Sequence, residues 1–263
     1  MPELPDVEVE KQYLNATALH KEIEHVEVRS QQMLEGIDAQ ELDEALCNHC
    51  FTETRRHGKY LLVRLDQDGW LVLHFGMTGS LKYFKVQEKA PEYAQILFQF
   101  ANGYRLAYVM ARKLGHVFLV DRPRQLIEQK ELGPDVLADD FDFAHFRQIL
   151  DEHRGMIKPR LMDQQVMAGI GNVYSDEILF QARVHPRAKL SDLDDDALKC
   201  IYDCMQEVLR AAIEHDADPG QFPDSYLIPH RGTDGKCPKC GGQIERVEVA
   251  GRTGYFCPEC QKP

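Results

Sequence analysis

Apolar and polar positions change their spacing twice along this chain. Residues 5 to 20 read as a helix, with Val7, Leu14 and Ala18 along one side. Pro5 falls in its first turn, and Asp6 and Glu8 sit near its positive end. From about 58 to 120 the pattern shifts to short alternating or apolar runs, which predicts strands at 60–65, 70–74, 96–100, 105–109 and 117–120. Asp68-Gly69, Gly76, Gly79 and Asn102-Gly103 separate them, and Asn-Gly is a strong hairpin signal. Closely spaced short strands predict a sandwich or barrel. After Gly133-Pro134 the spacing turns helical over 143–153, 157–166, 173–183 and 195–213. A Pro/Gly/Asp-rich stretch at 216–223 then leads into a Cys-rich tail. The pattern implies an α+β multidomain chain: a β-rich domain over 1–133, a helical domain over 134–222 and a small metal module over 223–263.

With 263 residues the chain has room for one large domain or two modest ones and needs no cross-links to hold a core. No apolar run approaches the ~20 residues of a membrane span, so no membrane partner is expected. The Met1-Pro2-Glu3-Leu4-Pro5-Asp6 start lacks the basic and apolar regions of a secretory signal, which points to a cytoplasmic location. Charge complicates the search for a partner. Lys plus Arg total 31 against 43 Asp plus Glu, a formal net charge of −12. That balance argues against nucleic acid, although the face presented to a partner matters more than the sum. Basic stretches do occur, at Arg55, Arg56, Lys59 and Arg64 and again from Arg105 to Arg124.

The tail carries the most specific local signal. Cys237-Pro-Lys-Cys240 and Cys257-Pro-Glu-Cys260 have the spacing of a zinc ribbon, with a hairpin expected between them and Ala250-Gly251 at its tip. Four thiolates close a tetrahedron around one structural Zn2+, and a cytoplasmic compartment disfavours the alternative of two disulfides. Cys47, Cys50, Cys200 and Cys204 are expected to be buried structural residues.

Other segments hold candidate chemistry. Residues 157–180 read as helix, Gly169-Ile170-Gly171 turn, helix, with Asn172 as N-cap. The amides behind it make either an anion site at a helix N-terminus or an ordinary tight turn. Lys59 begins a strand after Gly58, and Met77 lies between Gly76 and Gly79. Removal of Met1 would expose the Pro2 amine, whose class titrates near ~8 and is nucleophilic at cellular pH. Glu3 beside it could move protons.

In this order the motifs resemble the formamidopyrimidine-DNA glycosylase/endonuclease VIII family, its formamidopyrimidine branch above all. The resemblance rests on Pro2-Glu3-Leu4-Pro5, Gly58-Lys59-Tyr60-Leu61-Leu62 and Gly76-Met77-Thr78-Gly79. It continues in Met162-Asp163-Gln164, in Gly169-Ile170-Gly171-Asn172-Val173-Tyr174-Ser175-Asp176-Glu177, and in Gly251-Arg252 with Cys257-Pro258-Glu259-Cys260-Gln261. It implies an N-terminal β-sandwich with an N-terminal helix, a helix–two-turn–helix domain and a C-terminal zinc finger, with damaged double-stranded DNA as partner. It also implies a bifunctional glycosylase and abasic-site lyase of base-excision repair. In that scheme Pro2 attacks C1′ and forms a Schiff base, Glu3 protonates the sugar ring oxygen, and β- and δ-elimination follow. Lys59 would serve the reacting site and its phosphate, and Asn172 and Arg252 would clamp the backbone. Met77, Arg112 and Leu114 match wedge residues, and Lys158 joins Arg55, Arg56, Lys59, Arg112 and Arg252 in an expected basic DNA surface. A monomer suits a clamp on duplex DNA.

The chain departs from that branch at Met110-Ala111-Arg112-Lys113-Leu114-Gly115, where Leu114 replaces an aromatic wedge. Asp6 replaces a glutamate, and the segment 214–236 is short for a loop that covers 8-oxoguanine. These changes leave the lesion open among 8-oxoguanine, hydantoins, formamidopyrimidines, oxidised pyrimidines and abasic sites. Two other readings remain: a non-catalytic damaged-DNA binding protein, and a zinc-ribbon interaction protein with no DNA role.

Overall fold

A computed structural model describes residues 1–232 and 234–262. Thr233, inside the short 214–236 segment, and Pro263 lie outside the described residues. The chain divides into two units, one of Met1–Pro2 with Asp6–Lys130 and one of Glu3–Pro5 with Glu131–Pro263.

The first unit is a β-sandwich. Helix α1 (Leu4–Thr17) is followed by β1 (Ile23–Val28), α2 (Ala39–Leu46), β2 (Phe51–His57), β3 (Tyr60–Leu65) and β4 (Trp70–His74). Next come β5 (Ser80–Lys85), β6 (Ala94–Phe100), β7 (Tyr104–Val109), β8 (His116–Val120) and α3 (Pro123–Lys130). One antiparallel sheet has the order β1-β6-β7-β5 and the other β2-β3-β4-β8. Alternate residues of both sheets, among them Phe51, Leu61, Leu73, Phe98, Leu106 and Val117, meet Val7 and Leu14 of α1 in one core. On β5, an edge strand, α1 supplies side-chain acceptors: Glu10 takes the Leu81 N–H at 2.8 Å and the Tyr13 hydroxyl takes that of Tyr83 at 2.8 Å. These contacts satisfy edge amides that a further strand would otherwise pair.

The second unit contains α4 (Phe143–Asp151), α5 (Ile157–Met162), α6 (Asn172–Gln181) and α7 (Asp195–Glu214), then the hairpin β9 (Glu245–Val249) and β10 (Arg252–Phe256). Asp142 and Asp194 cap α4 and α7 through their side chains, accepting from His145 N and Ala197 N. The helices close over Phe146, Leu161, Ile178, Met205 and Leu209, a core that also takes in Leu4. The 157–166 helix expected from spacing ends at Met162, where Asp163 turns extended and the chain enters the glycine turn. The N-cap of α6 is Gly171, one residue before the expected Asn172. Among the described residues no helix is long and apolar enough to cross a membrane.

Candidate active site

Glu3 explains the Gly169-Ile170-Gly171 turn. Its carboxylate accepts from Gly171 N at 2.6 Å, Val173 N at 2.8 Å and Tyr174 N at 3.2 Å, the first free amides of α6. Of the two readings left open for this turn, an anion does occupy the helix N-terminus, and it is a side chain of the same protein. A side chain at 171 would not fit, because a Cβ there would lie 2.5 Å from Glu3 Oε1. Gly169 adopts φ +125°, its carbonyl accepts from Leu4 N at 3.0 Å, and a Cβ would come within 2.5 Å of Leu4 Cδ1. Bare backbone at both positions lets residues 3 and 4 seat against the turn, and Glu3 is 1 % exposed there. Pro2, bonded to Glu3, is half-buried, and Met1 before it is exposed.

In the first unit Lys59 occupies the two-residue turn joining β2 to β3, after Gly58 at φ +54°, and is buried. His74, at the end of β4, carried no role in the sequence reading. Its ring lies 4.8 Å from that of Tyr60, tilted by 34°, and its Nδ1 is buried with no hydrogen-bond partner among the described residues. Burial pulls its pKa down to about 4, helped by the positive neighbours His116, Lys59 and Lys130, so the ring is neutral. A histidine ending a strand just before Gly76-Met77-Thr78-Gly79 was the available sequence signal.

Two loops of the same unit meet through bare backbone, since a Cβ on Gly76 would fall 2.6 Å from Leu114 C. Met77 is 38 % and Leu114 52 % exposed, unusual for large apolar side chains, and Arg112 Nη1 lies 3.5 Å from Met77 Sδ. These three expected wedge residues thus belong to adjoining loops. Arg55 and Arg56, expected at a basic surface, are engaged in ion pairs: Arg55 with Glu53 at 2.7 Å and Arg56 with Glu8 at 3.0 Å.

Lys158 requires a correction. It is fully buried, its ammonium pairs with Asp176, and it donates to Asn172 Oδ1 at 2.9 Å. Burial draws its pKa down while Asp176 opposes the shift. It is an internal post and not a surface contact, because a desolvated ammonium needs its carboxylate. Asp176 also accepts from Arg231 Nη2 at 2.7 Å and from Tyr255 N at 3.0 Å, while Asn172 Nδ2 donates to Thr253 O at 2.8 Å. Sequence reasoning assigned Asp176 no role. The network fastens α6 to β10, whose first residue, Arg252, is exposed beside a cavity of about 370 Å³ lined by Pro159, Met162 and Gln164.

The sulfurs of Cys237, Cys240, Cys257 and Cys260 all lie within 4.8 Å of one another, with Cys237–Cys260 at 3.8 Å and Cys240–Cys257 at 3.5 Å. Zn–S bonds of ~2.3 Å in a tetrahedron require S–S separations near ~3.8 Å, so the set fits one structural Zn2+. Gln261, fully buried, accepts from Cys257 N and donates to Val184 O at 2.9 Å, docking the second knuckle. None of the other cysteines is fully buried as expected: Cys200 is exposed on α7, and Cys47, Cys50 and Cys204 are half-buried. Among the described residues none of the four belongs to a metal-ligand cluster.

Three family models match successive parts of the chain. The model for the formamidopyrimidine-DNA glycosylase N-terminal domain matches residues 1–117, that for the formamidopyrimidine-DNA glycosylase H2TH domain 132–223, and that for a zinc finger found in FPG and IleRS 235–263. A formamidopyrimidine-DNA glycosylase of Heliobacterium modesticaldum is 36 % identical, with 100 % of both chains covered. One from Streptococcus pneumoniae is 33 % identical over 100 % of this chain and 99 % of its own. A complex of Lactococcus lactis Fpg with DNA containing an abasic site superposes with TM-score 0.89 at 28 % identity, covering 99 % of this chain and 100 % of that one. A second, with DNA containing N7-benzyl-Fapy-dG, gives TM-score 0.89 at 29 % identity with 100 % of both chains covered.

Proposed function

The chain belongs to the formamidopyrimidine-DNA glycosylase family of DNA-repair glycosylases, and we propose that it excises damaged bases from duplex DNA and then cuts the strand through an amine at Pro2. After loss of the exposed Met1, the secondary amine forms a bond to C1′ and the bond from C1′ to the base breaks. Glu3 takes up the proton that the amine loses and passes it to the ring oxygen as the sugar opens to an iminium. That electron sink acidifies the 2′ hydrogens, and β-elimination then δ-elimination expel the 3′ and 5′ phosphates. Lys59 serves the reacting phosphate, while Asn172 and Arg252 grip the backbone. Met77, Arg112 and Leu114 fill the space of an extruded base. The zinc holds the finger that carries Arg252 and takes no part in the chemistry. The chain acts as a monomer.

The carrying observation is the seat of Glu3, three amides on one carboxylate, which fixes the residue bonded to the nucleophile. The test uses protein whose loss of Met1 is verified by mass, on a duplex with one formamidopyrimidine. Free base and a one-nucleotide gap are expected, with Glu3→Gln slowing base release by about 100-fold or more. Salt-sensitive binding with no release would instead favour a non-catalytic damaged-DNA binding protein.

A further inference from the structure

Gln164 follows α5 at a position where the chain could wander, yet all its polar atoms are directed inward. Its Oε1 accepts from Gly169 N at 3.0 Å, and its Nε2 donates to Ile170 O at 2.8 Å and Met162 O at 2.8 Å. One planar amide therefore bonds to both residues of the turn that precede Gly171, and also to the last turn of α5. The bonded residues are the ones that receive the N-terminus. Gly169 O accepts from Leu4 N, and Gly171 N donates to Glu3 Oε2. Gly169 sits at φ +125°, a conformation with few local restraints, so nothing in the glycine backbone itself fixes the direction of the Gly171 amide.

We propose that Gln164 is a positioning residue for base excision: its side-chain amide sets the Gly169–Gly171 turn and, through it, the Glu3 carboxylate. The proposal rests on the catalytic reading above and names a residue to which that reading gives no part. Gln164 does not touch substrate in this scheme. It acts through two backbone groups, and both of its amide atoms are needed, an acceptor for Gly169 and a donor for Ile170.

This division suggests a pair of variants. Gln164→Leu removes donor and acceptor at similar volume, and Gln164→Glu keeps the acceptor but turns a carboxylate oxygen towards two carbonyls. Base release needs the proton from Glu3, whereas a preformed abasic site already offers a ring-opened aldehyde to the amine. Single-turnover base release from a formamidopyrimidine duplex is therefore expected to fall by about 10- to 100-fold in both variants. Borohydride trapping on a preformed abasic site should change by less than about three-fold, so the ratio of the two activities moves. Amide hydrogen exchange at Gly169 and Gly171 should accelerate by at least about 10-fold while α7 keeps its protection.

Base release within about two-fold of the parent in either folded variant would overturn the proposal. So would a parallel fall of both activities, which is the mark of a general loss of structure. Should Gln164→Leu fail to fold, Gln164→Glu decides by the same criteria. If the parent protein itself neither releases base nor traps an abasic site, the catalytic reading fails separately. Unchanged exchange at Gly169 and Gly171 in the variants would then still refute the turn-setting role.

Discussion

Replacing Gly171 by alanine puts a methyl group where the Glu3 carboxylate now lies. The new Cβ would be 2.5 Å from Oε1 and 2.8 Å from Cγ, against a comfortable separation of ~3.5 Å, so the carboxylate must retreat by about 1 Å. Backbone strain does not confuse the result. Gly171 has φ −127° and ψ −155°, an extended conformation that alanine adopts freely. A 1 Å retreat carries the bonds from Gly171 N, now 2.6 Å, and Val173 N, now 2.8 Å, past hydrogen-bonding range. Hydrogen bonds to a charged group contribute ~1.5–3 kcal/mol each, but Glu3 ends a flexible side chain and can recover part of this elsewhere. The expected loss of stability in urea is thus ~1–3 kcal/mol. Misplacement by ~1 Å costs up to ~100-fold in rate, so base release should fall by ~100-fold while zinc content stays at one per chain. A Gly171→Ala protein that folds and releases base within threefold of the parent would show that the seat of Glu3 does not govern excision.

Three further outcomes follow from other parts of the molecule. Burial raises the Glu10 pKa from 4.5 to about 7, with its Leu81 bond opposing the shift. The folded chain then holds a proton that the unfolded chain releases, so stability present below pH ~4.5 is lost as the pH rises to about 7. The loss is about 3 kcal/mol. Glu10→Gln keeps an acceptor for Leu81 and should remove this slope in urea titrations across that range; identical slopes in both proteins would refute it. Chelation of the zinc, or Cys257→Ser, should abolish duplex binding, because the finger's Cys237, Ile244 and Cys257, packed with Leu227 on Phe180 of α6, form a cluster too small to fold the hairpin unaided. Retained affinity in metal-free protein, measured by fluorescence anisotropy, would contradict this. The double change Met77→Ala with Leu114→Ala removes apolar side chains that are about half exposed, so stability should move by less than ~1 kcal/mol while lesion excision falls by about 10-fold. Unchanged excision kinetics would count against a wedge role.

The sequence made some strands legible and hid others for a common reason. The runs at 60–65, 70–74, 96–100, 105–109 and 117–120 correspond to β3, β4, β6, β7 and β8, which are rich in buried apolar residues. β1, β2 and β5 gave no clear signal, and all three are edge strands with sequences such as FTETRRH and SLKYFK, whereas the edge strand β8 reads HVFLV and was legible because it is apolar. Edges carry charge that blocks further pairing, so their alternation is diluted. The cysteine ligands were readable because their chemistry is local, two pairs on two tight turns. The seat of Glu3 was not, since residues 3 and 171 meet only through the tertiary fold and spacing carries no trace of that pairing. Lys158 misled for a related reason. A lysine beside Pro159 reads as a surface cation until Asp176, eighteen positions on, is brought against it.

In the proposed mechanism the Pro2 amine forms the covalent bond to DNA. Borohydride trapping on a duplex with one abasic site, followed by peptide mass mapping, tests it most directly. The adduct should map to an N-terminal peptide beginning at Pro2 and disappear when Met1 is retained. Failure to trap with Met1-free, zinc-loaded protein, or an adduct that maps to Lys59 or another lysine, would contradict the claim.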